Sequence, residues 1–239
     1  MLTKNKIKFI RSLRNKRERY THQNFIIEGE KLLGEAMKSG IIINEIIGLA
    51  SFEKDFDPNL FYKASEKEMD RLSSLKKSPG ILAVAKYMDW DRLNLDKGKY
   101  LVLDRINDPG NLGTMIRISD WFGLDGIICS SDSVDVYNEK VVQSSMGSIF
   151  RVPIYYENLD EIVKNCKLPK IAAVMNGEDF SSFSFPQSGL LIMGSESHGI
   201  SDTLLSHIDF PITITKIGGA ESLNVGVAAG ILCQAFTSK

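Results

Sequence analysis

Five short apolar runs punctuate the second half of the chain: YLVLD (100–104), GIICS (126–130), RVPIYY (151–156), KIAAVM (170–175) and LLIMG (190–194). Each is bounded by Gly, Asp, Asn or Pro, and stretches of helical pattern lie between them, at 112–122, 138–146, 157–166 and 201–206. Strands that are apolar on both sides need cover on both sides, and the intervening helices supply it. The alternation predicts an α/β domain built on a parallel sheet. Ligands of such sheets gather at the loops after the carboxyl ends of the strands. There this chain keeps its glycines and polar residues.

Residues 1–87 read as a smaller α/β unit. A basic helix leads to a strand at NFIIEG (24–29), a helix from about Glu30 to Lys38, a strand at INEIIGLA (43–50) and a helix from Ser65 to Leu75. The SPG turn (78–80) then feeds the strand ILAVAKY (81–87). MDWDRLNLDKGK (88–99) is polar and unpatterned and reads as a linker, so domains are expected over 1–90 and 98–239. No apolar run approaches the ~18 residues a membrane span needs, and the N-terminal residues lack the pattern of a secretory leader. Cys129, Cys166 and Cys233 are odd in number and widely spaced. Free thiols in a reducing, cytoplasmic protein are expected.

The formal net charge is −1, so the chain as a whole is no polycation. Residues 1–20 nevertheless hold eight Lys or Arg against the single acid Glu18. Ile7, Ile10, Leu13 and Arg14 follow helical spacing, so the apolar side can dock while the basic side faces out, with Arg11, Arg14 and Arg17 as the candidate contacts. Two readings stand: a phosphate-contacting patch, or a solvated helix face.

Three loops of the C-terminal half carry the candidate chemistry. The first, DRINDPGNLGTMIRISDWFG (104–123), sets Asn111 to cap a helix and places Arg117 within that helix among apolar neighbours. The second, LLIMGSESHGIS (190–201), runs from a buried strand into Gly194 and Glu196, where a helix dipole would favour the acid. Its spacing fits neither a phosphate-binding P-loop nor a nucleophile elbow. The third, ITITKIGGAESLNVG (212–226), crowds Glu221, Ser222 and Asn224 at the mouth of VGVAAGILCQAF (225–236), the most apolar helix of the chain. Each loop has a plain alternative, such as a capping acid on a tight turn or an Arg whose stem packs while its head is solvated. The helices at 112–122 and 225–236 are apolar on more than one face, which calls either for burial inside the monomer or for a second subunit.

In combination, DPGNLGTMIRISDWFG, LIMGSESHGIS and ESLNVGVAAGI resemble the three motifs of the SpoU (TrmH-like) class of SPOUT RNA methyltransferases. VVQSSMGSIFRVPI (141–154) resembles the segment between the first two, and the N-terminal half, with FIIEGEKLLGEA and SPGILAVA, resembles the L30e-like substrate-binding domain of ribosomal-RNA members. The resemblance implies a C-terminal domain with a deep trefoil knot. It also implies S-adenosylmethionine as methyl donor, bound by Met193, Gly194, Ile214 and Leu223. The functional polar residues would be Asn111, Arg117, Glu196, Ser222 and Asn224. The implied reaction is 2′-O-ribose methylation of structured RNA, ribosomal rather than transfer RNA, by a homodimer with no metal. A transfer-RNA 2′-O-methyltransferase and a catalytically silent RNA-binding relative are the alternatives. In this family the Arg has been given the role of base; a guanidinium, with a pKa above ~12, suits a fixed cation better. Two positions depart from the family pattern: Ile214-Thr215-Lys216 replaces Ile-Pro-Met, and Gly226 replaces a Ser.

Overall fold

The computed structural model describes residues 2–238. In chain order the elements are α1 (Lys4–Ser12), α2 (Lys16–His22), β1 (Asn24–Glu28), α3 (Glu30–Ser39), β2 (Ile43–Gly48), β3 (Phe61–Lys63), α4 (Glu66–Leu72) and β4 (Ile81–Lys86). They continue with β5 (Lys99–Asp104), α5 (Pro109–Phe122), β6 (Gly126–Ser130), α6 (Glu139–Ser144), β7 (Ile154–Glu157), α7 (Leu159–Asn165), β8 (Lys170–Asp179), β9 (Gly189–Gly194), α8 (Asp202–Leu205), β10 (Phe210–Thr213) and α9 (Val225–Thr237). Among the described residues no helix is long and apolar enough to cross a membrane.

By packing the chain divides in two. One unit runs up to Asp89 and takes in Asp135–Phe150; the other holds Trp90–Val134 and the described residues from Arg151 on. By packing, 135–150 group with the N-terminal sheet although they lie within the sequence span of the C-terminal half. The physical reason is a set of buried contacts. The Tyr137 ring stacks on Tyr87 with centroids 3.9 Å apart and meets Phe25 at 4.6 Å. The Met88 amide donates to the Tyr137 hydroxyl.

Arg19 completes this arrangement. Its Nε donates to the Asp135 carboxylate at 3.0 Å, and its Nη1 donates to the carbonyls of Leu13 (2.9 Å) and Arg14 (2.8 Å). Those carbonyls lie at the junction between α1 and α2, so the single basic helix expected here is two helices held at a corner. Asn15 caps the second, accepting from the Arg17 amide at 2.8 Å. The sheet of this unit runs β1-β4-β2-β3, with the first two pairings antiparallel and the last parallel. Ser65 and Glu68 form a capping box that starts α4.

The second unit is a six-stranded sheet in the order β10-β8-β9-β5-β6-β7, parallel throughout. Leu101, Val102, Leu103, Ile127, Ile128, Leu190, Leu191 and Ile192 are all fully buried, so both faces are covered as the unalternating pattern required. Residues of α7 and α8 join Val102, Ile128 and Ile192 on one side, while α5 and α9 pack on each other and against β6 and β9. Cys129 and Cys233 are buried and Cys166 partly so, and all three are free.

Two strands are absent from the sequence reading. β3 has only three residues, too few for a pattern. β10 contains Pro211, ordinarily a strand breaker, and Pro is tolerated because β10 is an edge strand paired only with β8. The register shifts between Pro211 and Ile212. The apolar girth of 112–122 and 225–236 is mostly absorbed within the unit: Leu112, Met115, Ile116, Ala229, Leu232 and Phe236 are buried. Trp121 (83% exposed) and Val227 (52%) remain open.

Replacing Arg19 by Met leaves Asp135 without its cation and two helix-end carbonyls without donors. Urea unfolding is expected to show a decrease of about 3–5 kcal/mol, the usual result of removing one partner of a buried ion pair.

Candidate active site

The strand order reverses between β5 and β9: the chain proceeds from β5 to β6 and β7 on one side, then returns to β8 and β9 on the other. A crevice forms at such a point outside the carboxyl ends of the strands. Asp104 at the end of β5 and Gly194 at the end of β9 are register partners, so the first and second loops leave the sheet side by side.

Gly194 is dictated by close backbone passage. A Cβ there would lie 2.1 Å from the Gly199 carbonyl carbon and 2.3 Å from the Ile200 nitrogen. The loop turns back on itself, with the Gly199 amide donating to the Ser195 carbonyl at 2.8 Å and Gly199 itself at φ +63°. This turn projects Glu196.

Asp108, not Asn111, caps α5. Its carboxylate accepts from the Asn111 amide at 2.8 Å, and Pro109 fills the first helical position. The sequence expectation for Asn111 as the cap is thus corrected: the Asp-Pro pair starts the helix one turn earlier. Asn111 falls in the first turn, where its side chain is free for tertiary contacts. Its Nδ2 donates to Glu196 Oε1 at 3.1 Å, and its Oδ1 accepts from Asn224 Nδ2 at 3.0 Å.

Asn224 does cap a helix. Its Oδ1 accepts from the amides of Gly226 (3.0 Å) and Val227 (3.3 Å), while its Nδ2 also donates to Glu196 Oε1 at 2.8 Å. The Val225 amide adds a third donor to that oxygen at 3.2 Å. The helix dipole that favours Glu196 is therefore that of α9, not of the short helix following its own loop. Asn111, Glu196 and Asn224, far apart in sequence, form one hydrogen-bonded cluster.

A cavity of about 730 Å³ opens beside the cluster. Met193, Gly194, Ile214 and Leu223 line it, as do Glu196 and Ser222. Arg117 is exposed on α5, neither lining the cavity nor ion-paired with another described residue. In the N-terminal unit Arg11, Arg14 and Arg17 are all exposed, but Arg14 also donates to the Leu72 carbonyl at 2.8 Å and stands 3.5 Å from Glu139. Arg14 is a tether there.

Both departures from the family pattern have a local account. The Thr215 hydroxyl donates to Asp179, tying the loop to the end of β8; hydrogen bonds from Ser181 and then from Thr215 hold that carboxyl below the usual carboxylate range. A Cβ on Gly226 would sit 3.1 Å from Thr114 Cγ2 and 3.1 Å from Asn224 Oδ1. The Thr114 methyl stands where the missing serine would press. Sequence reasoning missed Asp104 and Arg105, which bracket the exit of the second loop; Asp108 was readable from the Asp-Pro signature.

Residues 98–234 match the SpoU rRNA Methylase family, and residues 4–83 match the MRM3-like substrate binding domain. The chain belongs to the SpoU rRNA methylase family. It is 35% identical over 234 residues, 95% of this chain and 94% of the other, to the 23S rRNA (guanosine(2553)-2′-O)-methyltransferase RlmP of Bacillus subtilis (strain 168). A TrmH-family structure from Porphyromonas gingivalis superposes with a TM-score of 0.90 at 31% identity, covering 99% of this chain and 98% of that one. An AdoMet-bound rRNA methyltransferase from Sinorhizobium meliloti gives 0.88 at 26%, covering 98% and 95%.

Gly226→Ser is expected to destabilise by about 1–3 kcal/mol through overpacking. Adding Thr114→Ser, which removes the opposing methyl but keeps the hydroxyl bonded to the Gly110 carbonyl at 2.9 Å, should recover part of that stability. A double-mutant cycle in urea measures the coupling, and strict additivity would show that the methyl does not set the contact.

Proposed function

We propose that this protein is an S-adenosylmethionine-dependent 2′-O-ribose methyltransferase acting on ribosomal RNA. The observation that carries the reading is the Asn111–Glu196–Asn224 cluster at the edge of the cavity, in a chain of the SpoU family. The cavity fits the methyl donor: its volume of about 730 Å³ is in the range of cofactor sites, and apolar side chains with a few polar groups make its walls. Met193, Gly194, Ile214 and Leu223 would hold the donor, which brings an electrophilic methyl on a positively charged sulfur.

The protein's own share is positioning and charge. In-line attack by a ribose oxygen needs the two loops fixed to a fraction of an ångström, and the shared Glu196 oxygen fixes them. Ser222, on the cavity wall, would orient the ribose. Arg117, which does not line the cavity of its own chain, would reach the site across the proposed dimer interface, as a fixed cation that grips the neighbouring phosphate and stabilises the attacking oxygen while its proton leaves to solvent and the S–CH3 bond breaks. Its guanidinium, exposed and not ion-paired among the described residues, supports that role.

We assign the active unit to a homodimer paired through α5 and α9, on the strength of the uncovered Trp121 and Val227. The trefoil knot and a cytoplasmic location belong to the same proposal. Ribosomal RNA is preferred because the RlmP relative is named for it and the N-terminal region matches a substrate-binding domain. No metal is assigned to the reaction.

Transfer of labelled methyl groups from S-adenosylmethionine to ribosomal RNA, followed by mapping of 2′-O-methylated nucleotides, tests the reading. One ribose site in ribosomal RNA is the expected outcome. Failure to bind S-adenosylmethionine in calorimetry would leave a silent RNA-binding relative, and labelling of transfer RNA alone would change the substrate. In Arg117→Lys, kcat should fall by about 10²-fold or more, because an ammonium does not reproduce the planar fork.

RNA affinity is expected to depend on Arg11 and Arg17 but not in the same way on Arg14. Changing the first two to Gln should lower the slope of log affinity against log salt by about one for each phosphate left unneutralised. Arg14→Gln should instead lower the unfolding midpoint, since its partners are Leu72 and Glu139. Filter binding across a salt series and thermal melts read the two effects separately.

A further inference from the structure

Arg105 follows β5 directly and adopts φ +55°, in the left-handed region. A residue with a long side chain is disfavoured there, and Gly or Asn would occupy the position with less strain. What the side chain touches gives the reason for keeping it. Its Nη2 donates to the Gly199 carbonyl at 3.4 Å, and its Nε stands 3.3 Å from Asp104 Oδ1. The other oxygen of the buried Asp104 accepts from the Ser201 amide at 2.8 Å. The Arg105 amide is itself anchored on the Ser130 hydroxyl at 2.9 Å.

We infer that Arg105 is a positioning residue for the methyl-transfer site: together with Asp104 it fastens both sides of Ile200 to the end of β5 and so sets where Glu196 stands. The inference rests on the proposed activity for its kinetic consequence but not for its structural one. Glu196 lies three residues before Gly199 in a turn closed by the Ser195–Gly199 pairing. Gly199 and Ile200 also form part of the cavity wall. Without Arg105 the loop keeps the Asp104–Ser201 bond but loses its hold at Gly199, so the wall and the carboxylate would move together. The Asn111 and Asn224 bonds to Glu196 would then form in only a fraction of molecules, and the site would bind its ligand less tightly by that fraction.

The test uses full-length protein without ligand. Arg105→Gly and Arg105→Asn both suit the left-handed backbone, so the fold is kept, and Asn controls for the added flexibility of Gly. Hydrogen exchange at the amides of 195–201 is expected to quicken about tenfold in both variants, with rates elsewhere unchanged. KM for S-adenosylmethionine should rise by about the same factor, with kcat less affected, and Arg105→Lys should restore part of the protection. Unchanged exchange at Gly199 and Ser201 would overturn the inference. Faster exchange throughout the unit would overturn it too, by showing a general structural role. Local loosening in a protein whose wild type neither binds nor uses S-adenosylmethionine would uphold the brace and refute the activity.

Discussion

Backbone passes backbone at Gly194 with no room for a single methyl, and the site depends on that passage. Because the Gly199–Ile200 peptide lies against the end of β9, the intervening four residues are forced into a closed turn rather than an open loop. A closed turn has few conformations, so Glu196 is presented in a narrow range of positions. The three N–H groups that then meet one of its oxygens come from α5 and from the first turn of α9. A parallel sheet brings the ends of β5 and β9 together, and the turn converts that neighbourhood into a cluster. Neither would suffice alone.

Much of this is legible in the sequence because it is written in short-range rules. Unalternating apolar runs between helical stretches specify a covered parallel sheet, and all five such runs are strands. Polar residues at the mouth of an apolar helix mark a cap, and Asn224 is one. What is illegible depends on neighbours that a linear reading does not supply. Asn111 has the chemistry of a cap, but Asp108 takes that place, a competition between two good candidates three residues apart. Pro211 hides β10 because its tolerance depends on the strand lying at an edge. Residues 138–146 carry a helical pattern, but their packing against β1 turns on Tyr137 finding Tyr87 and Phe25, a tertiary match with no local signature. Arg105 gives no sign at all, since the left-handed backbone that singles it out is visible only in the folded chain.

The N-terminal basic stretch shows how a charge count misleads. Its cations differ in what they do once folded. Arg19 is consumed by Asp135 and the α1–α2 corner, and Arg14 by Leu72 and Glu139. A cation already paired within the protein has little left to offer a phosphate, since its partner must be displaced first. Arg14 is exposed as Arg11 and Arg17 are, but among the described residues these two have no side-chain partner of that kind. The patch that remains for RNA is smaller than the run of basic residues implies, which agrees with a net charge of −1 for the whole chain. Recognition of a ribosomal target by such a protein would rest on shape and a few placed contacts more than on bulk attraction.

Why the polar cluster sits at the most apolar helix follows from how closely α5 and α9 approach. Two short amide side chains meet at 3.0 Å only if their helices come together more tightly than large residues allow. Gly226 supplies that closeness against Thr114, whose Cγ2 would stand 3.1 Å from an added Cβ. Asn111 and Thr114 share the N-terminal part of α5, while Asn224 and Gly226 share that of α9. The packing contact and the hydrogen bond are thus neighbours one turn apart, and the first sets the distance of the second. A serine at 226 would offer a hydroxyl near the site but would push against Thr114, whereas glycine gives up the hydroxyl and keeps the approach. The chain has taken the second course, and its apolar helix is thin where the polar groups meet.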